Sequence, residues 1–180
     1  MEPNLFDIDF PRPKKAKPRK RAVSAPKPKG NRFKRGDATY ALHRLEILRD
    51  YSYRVCGSYR RQCETVGDLD ILIVTDNFDD VVNRVADRYP ILWSGPEKVS
   101  FMFGEIQVDF RRATTETVVT MQMYFTGSKR ENIRLRSQAA YLGMKLNEYG
   151  LFHGDDRIPC DSEEEVYKTL GLPYVAPRFR

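Results

Sequence analysis

Gly67-Asp68-Leu69-Asp70-Ile71-Leu72-Ile73 sets two carboxylates two residues apart at the start of a nearly unbroken apolar run. That run, Leu69 to Thr75, has the composition of a strand buried on both faces. Side chains alternate along a strand, so Asp68 and Asp70 point one way while Leu69 enters the core. Two like charges at the lip of a buried strand are destabilising unless a cation or an arginine compensates them.

A third acid, Asp109 in Gln107-Val108-Asp109-Phe110-Arg111, lies mid-strand between apolar neighbours and can stand beside that pair. Three carboxylates on adjacent strands form an oxygen-only site suited to Mg2+, which prefers hard ligands and keeps water and phosphate in its shell. Two such ions would activate a hydroxyl and steady an in-line phosphoryl transfer. Taken singly, Asp68 also suits a turn after Gly67, and Asp109 an ion pair with Arg111 or Arg112. Just upstream, Gly57-Ser58-Tyr59-Arg60-Arg61 supplies a close backbone approach, a hydroxyl, a helical N-terminus and a guanidinium fork for phosphate oxygens. An anion cradle ahead of an acid pair is what nucleotidyl transfer requires.

Around these motifs the periodicity is mixed. It predicts a helix from Asp37, which can cap it, to about Asp50. A strand over Tyr53 to Gly57, a helical turn from Ser58 to Cys63 and a helix over Phe78 to Tyr89 follow. Strands over Ile91 to Trp93, Val99 to Phe103 and Glu105 to Arg111 complete the first half, an α/β sheet with helices on one face. Beyond residue 114, helices are expected over Thr115 to Thr126 and Ser128 to Gly143, then a hairpin of Met144 to Tyr149 and Leu151 to His153. A last helix spans Ser162 to Leu170, where Ser162 and Glu165 have capping-box spacing. The run Glu163-Glu164-Glu165 is read as a first helical turn favoured by the helix dipole rather than as a metal site. The fold class is α+β, with a unit over 37–113 and a second over 114–180.

Charge divides the chain of 180 residues unevenly. Residues 1–36 carry twelve basic and three acidic side chains, a balance of +9, and the other 144 carry −3. Six of the eleven prolines also fall in this opening stretch. It has too little apolar surface to offset its ordering entropy and is expected to be a disordered basic arm. Its Lys14, Lys15, Lys17, Arg19, Lys20 and Arg21 suit a polyanion such as DNA, or a nuclear-localisation signal. Residues 5–10, acidic and apolar, suit docking on a partner such as a replication clamp or folding back onto the chain itself. Cys56, Cys63 and Cys160 match neither a disulfide framework nor a zinc site. With no secretory signal and no span-length apolar run, the chain is expected to be soluble, intracellular and free of membrane.

These motifs together resemble a family. Gly57 to Arg61, Gly67 to Ile73 and Gln107 to Arg111 resemble the palm of the DNA polymerase beta type of nucleotidyltransferase. Tyr124-Phe125-Thr126-Gly127-Ser128 is similar, residue for residue, to the YFTGS motif of the family X DNA polymerases. Leu146 to Phe152, Asp161-Ser162-Glu163 and the ending Pro173-Tyr174 to Pro177-Arg178 extend the similarity over residues 40–180. The resemblance implies that Asp68 and Asp70 ligate two Mg2+ ions, replaceable by Mn2+, and that Asp109 ligates the catalytic one and helps deprotonate the primer hydroxyl. It implies phosphate contacts for Gly57, Ser58, Arg61 and Gly67, and sugar contacts for Tyr124, Phe125 and Gly127. Asn132 would reach the incoming base and Arg136 the template strand, although both also suit an exposed helix face. Arg111 would orient the acids. Lys129, Arg130 and Arg134 are more basic than the family pattern and, with the arm, suit DNA contacts.

The departures shape the expected activity. The chain is expected to lack a lyase domain, with no lysine nucleophile assignable, and a DNA-clasping subdomain, a layout similar to the small viral family X polymerase. Gln107 stands where the family commonly has an arginine. The expected protein is a monomeric, template-directed DNA polymerase without proofreading, filling short gaps in primed or gapped DNA with dNTPs. A template-independent nucleotidyltransferase and a catalytically dead DNA-binding scaffold are the alternatives. Its location would be nuclear in a eukaryote, or host cytoplasm or virion for a virus.

Overall fold

A computed structural model describes residues 32–180. The six basic arm residues from Lys14 to Arg21, and residues 5–10, lie outside the described residues. In chain order the elements begin with β1 (Phe33–Lys34), α1 (Arg35–Arg44), a 3-10 turn at Glu46–Asp50, β2 (Ser52–Val55), α2 (Gly57–Arg60), β3 (Thr65–Val66), β4 (Asp68–Val74) and α3 (Phe78–Ala86). There follow β5 (Ile91–Gly95), β6 (Lys98–Phe103), β7 (Ile106–Ala113), α4 (Val118–Thr126) and α5 (Lys129–Tyr141). The chain ends through β8 (Met144–Asn147), β9 (Gly150–His153), β10 (Asp156–Ile158), α6 (Glu163–Thr169) and a 3-10 turn at Pro177–Phe179.

Five strands form a mixed sheet in the order β2-β4-β7-β6-β5, with β4 and β7 parallel and the other pairs antiparallel. Alternation along these strands sorts the residues to two faces. Leu69, Ile71 and Ile73 of β4, Val99 and Phe101 of β6, and Val108 and Phe110 of β7 join Ala38, Ala41, Val81 and Val85 of α1 and α3 in one core. The opposite face carries Asp68, Asp70 and Leu72 on β4, Asp109, Arg111 and Ala113 on β7, and Lys98 and Ser100 on β6. There Leu72 and Ala113 pack with Cys56 and with Met121 of α4, so an apolar cluster covers one end of this face and the polar residues occupy the other.

A second core builds the C-terminal part. Met123 of α4, Leu135 and Ala139 of α5, Leu146 and Leu151 of the hairpin, and Val166, Tyr167 and Leu170 around α6 are all buried together. The two parts are joined by an ionic bridge. Glu163, almost wholly buried, accepts from Arg60 and from Arg180 at 2.5 Å each, and Arg60 also donates to Thr126 Oγ1 at 2.9 Å. This use of Glu163 agrees with a structural role for the acidic run.

Local expectations fail in instructive places. Asp37 does not cap α1: the helix starts two residues earlier, Lys34 holds the cap position without a side-chain bond, and Asp37 lies in the first turn. The reason is non-local, because Phe33–Lys34 pairs with Thr65–Val66 and fixes where the chain turns into the helix. Residues 33–36, within the stretch assigned to the arm, thus belong to regular elements. The helix expected as far as Asp50 ends at Arg44 and resumes as a 3-10 turn after Leu45. Ser162 caps α6 as expected, accepting from Glu165 N at 3.2 Å, but the Glu165 carboxylate reaches back to Asp161 N at 2.7 Å rather than to Ser162 N. Among the described residues no helix is long and apolar enough to cross a membrane.

Candidate active site

The parallel register of β4 and β7 sets Asp70 directly opposite Asp109, with Asp68 opposite Gln107. One ligand atom each from Asp68, Asp70 and Asp109 lies within 4.8 Å of the other two. Burial, then the charges of Asp68 and Asp109, push the Asp70 carboxyl up to about 7, against the pull of Arg111 and Lys98. Asp109 goes the other way. Its burial would raise it, but hydrogen bonds from Lys98 and Gln107, the Lys98 charge and Ser100 together hold it below the ordinary carboxylate range. Lys98 Nζ stands 2.5 Å from Asp109 Oδ2 and Gln107 Nε2 donates to Oδ1 at 2.9 Å.

This donor set fits a divalent cation. All three candidate ligands are hard carboxylate oxygens, close enough to share one ion, and their mutual repulsion is what a dication would relieve. The fit is to the class of metal, which the donor chemistry defines.

The Gly57-Ser58 turn abuts this cluster. Gly57 has a φ of +63°, and a Cβ there would fall 2.6 Å from Asp70 Oδ2, so both the backbone conformation and the space demand glycine. The Cys56 amide donates to the Asp70 carbonyl at 2.8 Å, which ties the turn to β4. The Cys56 thiol is fully buried and its pKa is raised, chiefly by that burial, so it is an inert packing group. Gly67 lies beside the guanidinium of Arg32, which is anchored by bonds to Thr65 Oγ1 at 2.8 Å and Thr65 O at 2.5 Å.

The YFTGS segment meets the same region from the C-terminal part. Arg61 donates to the Thr126 carbonyl, and the Arg111 guanidinium lies 4.2 Å from the centre of the Phe125 ring. Tyr124 and Phe125 pack edge to face at 5.2 Å, and Asn132 Nδ2 donates to Tyr124 O at 2.7 Å. Ser128 caps α5 through Glu131 N at 3.4 Å. Thus the structure brings Asp68, Asp70, Asp109, Gly57, Ser58, Arg61, Arg111, Phe125 and Gly127 to one side of the sheet.

The basic positions of α5 separate into two groups. Lys129, Arg130 and Arg136 are exposed, and Arg136 lines a groove with Ile133, Ala140, Met144 and Lys145. Arg134 is set apart: it grips Glu131 at 2.6 and 3.0 Å, and Tyr167 donates to the same carboxylate at 2.8 Å. Much of its charge is neutralised within the fold. Sequence reasoning passed over Lys98 and Arg32. Lys98 sits at a hairpin turn eleven residues from Asp109, and only strand pairing shows where it points. The signal for Arg32 was hidden because it belonged to a run of basic residues.

Residues 37–108 match the family model of the DNA polymerase beta palm, and residues 121–180 match that of the DNA polymerase beta thumb. The chain belongs to DNA polymerase family X. This family X chain is 34% identical over 146 residues to the DNA polymerase/3'-5' exonuclease PolX of Bacillus subtilis, covering 77% of this chain and 26% of that protein. It thus spans about a quarter of the length of that relative. Against the Repair DNA polymerase X of African swine fever virus it is 28% identical over 141 residues, covering 69% of this chain and 78% of the viral protein. Its fold is similar to that of Leishmania infantum polymerase beta in a ternary P/T complex, with a TM-score of 0.71 and 25% identity, over 83% of this chain and 77% of that one.

Proposed function

We propose that this family X chain is a template-directed DNA polymerase that adds a deoxynucleotide from a dNTP to a primer 3'-hydroxyl in short gaps, as in repair. The observation that carries this is the convergence of Asp68, Asp70 and Asp109 from two strands beside a glycine turn built against Asp70. Residues 37–113 form the catalytic palm unit and residues 114–180 the unit that selects the nucleotide.

Asp68 and Asp70 would hold two Mg2+ ions and Asp109 would share the catalytic one. Mg2+ held by these residues would supply a lowered pKa for the attacking hydroxyl and a counter-charge for the transferring phosphoryl group. The chain's own groups do the positioning. Asp109, kept ionised in the metal-free site by Lys98 and Gln107, would help take the hydrogen of the primer hydroxyl. Gly57 and Ser58 offer a close backbone and a hydroxyl to the β- and γ-phosphates, with Arg61 and Gly67 beside them, and Arg32 adds a cation at the same edge. Phe125, braced by Arg111, and Gly127 pack on the sugar, while Asn132 faces the base and Arg136 the template strand. Lys129 and Arg130 bind DNA phosphates, as do the basic residues of the arm.

The test is primer extension on a duplex with a one-nucleotide gap, supplying each dNTP singly with Mg2+. Incorporation that follows the template base is expected. Incorporation indifferent to it would identify a template-independent transferase, and none at all with intact metal binding would identify a scaffold.

A further inference from the structure

Asp109 is the most buried of the three acids, and the cation nearest to it comes from neither of its own flanking arginines. Arg112, on the other face of the strand, is paired with Glu97 at 3.4 Å. Arg111 is drawn aside to the Phe125 ring, and its NH2 stays 4.0 Å from Asp109 Oδ2. Lys98 reaches the same oxygen at 2.5 Å. The antiparallel register of β6 and β7 sets Lys98 opposite Arg111 and Ser100 opposite Asp109. Lys98 is thus the diagonal neighbour of Asp109 on the acid face, a relation that a long side chain spans. Gln107, on the same face of β7, is neutral and fills only the other oxygen.

A carboxylate oxygen has lone pairs for both an ammonium and a metal ion, but two cations held at contact distance from one oxygen repel each other. We propose that Lys98 is a positioning residue and built-in counter-ion: its ammonium holds Asp109 aimed into the cluster in the metal-free protein and opposes, by charge repulsion, a divalent cation that binds there. Lys98 supplies from the neighbouring strand the charge that Gln107 does not provide. The contact therefore sets a threshold for metal entry, because each cation bound at Asp109 is bound against the charge of Nζ. This inference rests on the acid cluster being the metal site of the proposed function.

The experiment titrates Mn2+ into the whole chain, without DNA or nucleotide, and reads free Mn2+ by electron paramagnetic resonance. Wild type is compared with Lys98→Met, Lys98→Arg and Asp70→Asn, each checked for folding by circular dichroism and thermal melting. Removing one positive charge in contact with the site should tighten Mn2+ binding in Lys98→Met on the order of tenfold. Lys98→Arg, which restores a cation, should return the affinity toward wild type. If Lys98→Met does not fold, Lys98→Gln replaces it, with the same expectation. Binding that is lost in Asp70→Asn but unchanged or weaker in Lys98→Met overturns the role of Lys98 and leaves the site standing. Wild-type binding in Asp70→Asn places the metal elsewhere and overturns both.

Discussion

Asp70 of β4 faces Asp109 of β7 across a parallel strand pair, two carboxylates in register with no residue between them. Neither strand gains stability from this arrangement. Asp70 is pushed up to about 7 by burial and by its acidic neighbours, so the pair is maintained at a cost that a bound cation would offset. Asp70→Ala should therefore separate activity from stability. Primer extension should fall by at least about a hundredfold, the scale of losing one preorganised electrostatic group, while the metal-free melting temperature stays level or rises. Near-normal extension in a folded variant would refute the assignment.

The same shift gives a pH dependence with a definite sign. Between the ordinary Asp value of 3.8 and about 7, the folded protein holds a proton on Asp70 that the unfolded chain releases. Its contribution to stability therefore declines as pH rises through that window in the metal-free protein. Mg2+ should raise the melting temperature more at pH 8 than at pH 5, because a ligand that needs the ionised carboxylate binds better there. Calorimetry at the two pH values, with Mg2+ and with chelator, checks this. Asp70→Asn should remove the difference.

Gly57 is the tightest steric point of the site. In Gly57→Ala the new methyl would meet Asp70 Oδ2 at 2.6 Å on a backbone held at a φ of +63°. A loss of about 1–3 kcal/mol in unfolding free energy is expected from the backbone conformation alone. Extension should fall further than stability explains, since Asp70 must shift. Urea melts beside single-turnover rates would show whether the two losses separate.

Glu163 joins the two parts of the molecule through Arg60 and Arg180. Glu163→Ala leaves two guanidiniums facing each other without their shared acid, one of them fully buried. The expected cost is about 3–5 kcal/mol. Arg60 also holds Thr126, next to Gly127, so dNTP affinity should weaken as well. A variant that melts like wild type and binds dNTP normally would show the bridge to be incidental.

The basic arm has a boundary that the structure moves. Phe33–Lys34 pairs with Thr65–Val66, and Arg32 is bonded to Thr65, so a clean truncation removes residues 1–31 and spares both. That deletion should flatten the slope of log affinity for DNA against log salt, because fewer counterions are released. Base choice should not change. An equal slope in both proteins would leave the arm to localisation or partner docking.

Much of the site was legible in the sequence because its physics is local. Two-residue alternation alone puts Asp68 and Asp70 on one face, and a glycine before a hydroxyl and two arginines describes a turn that an anion can approach. The apolar run from Leu69 to Thr75 is a buried strand on composition alone. YFTGS needed no geometry to indicate a relative. What depended on neighbouring strands was misjudged or passed over: the cap of α1, the pairing of β1 with β3, and Lys98 as a closer cation to Asp109 than Arg111.

The sequence by itself determined which residues carry charge, which alternate, and hence that an acid pair opens a buried strand after a phosphate-binding turn. Only the tertiary structure decided that Asp109 stands opposite Asp70 and that Lys98, from a third strand, meets it. It also decided that Glu163 serves as a bridge. The reason is physical: alternation is a property of one strand, whereas register and ion pairing depend on which strands lie side by side, and that is settled by the packing of the whole sheet on its two cores.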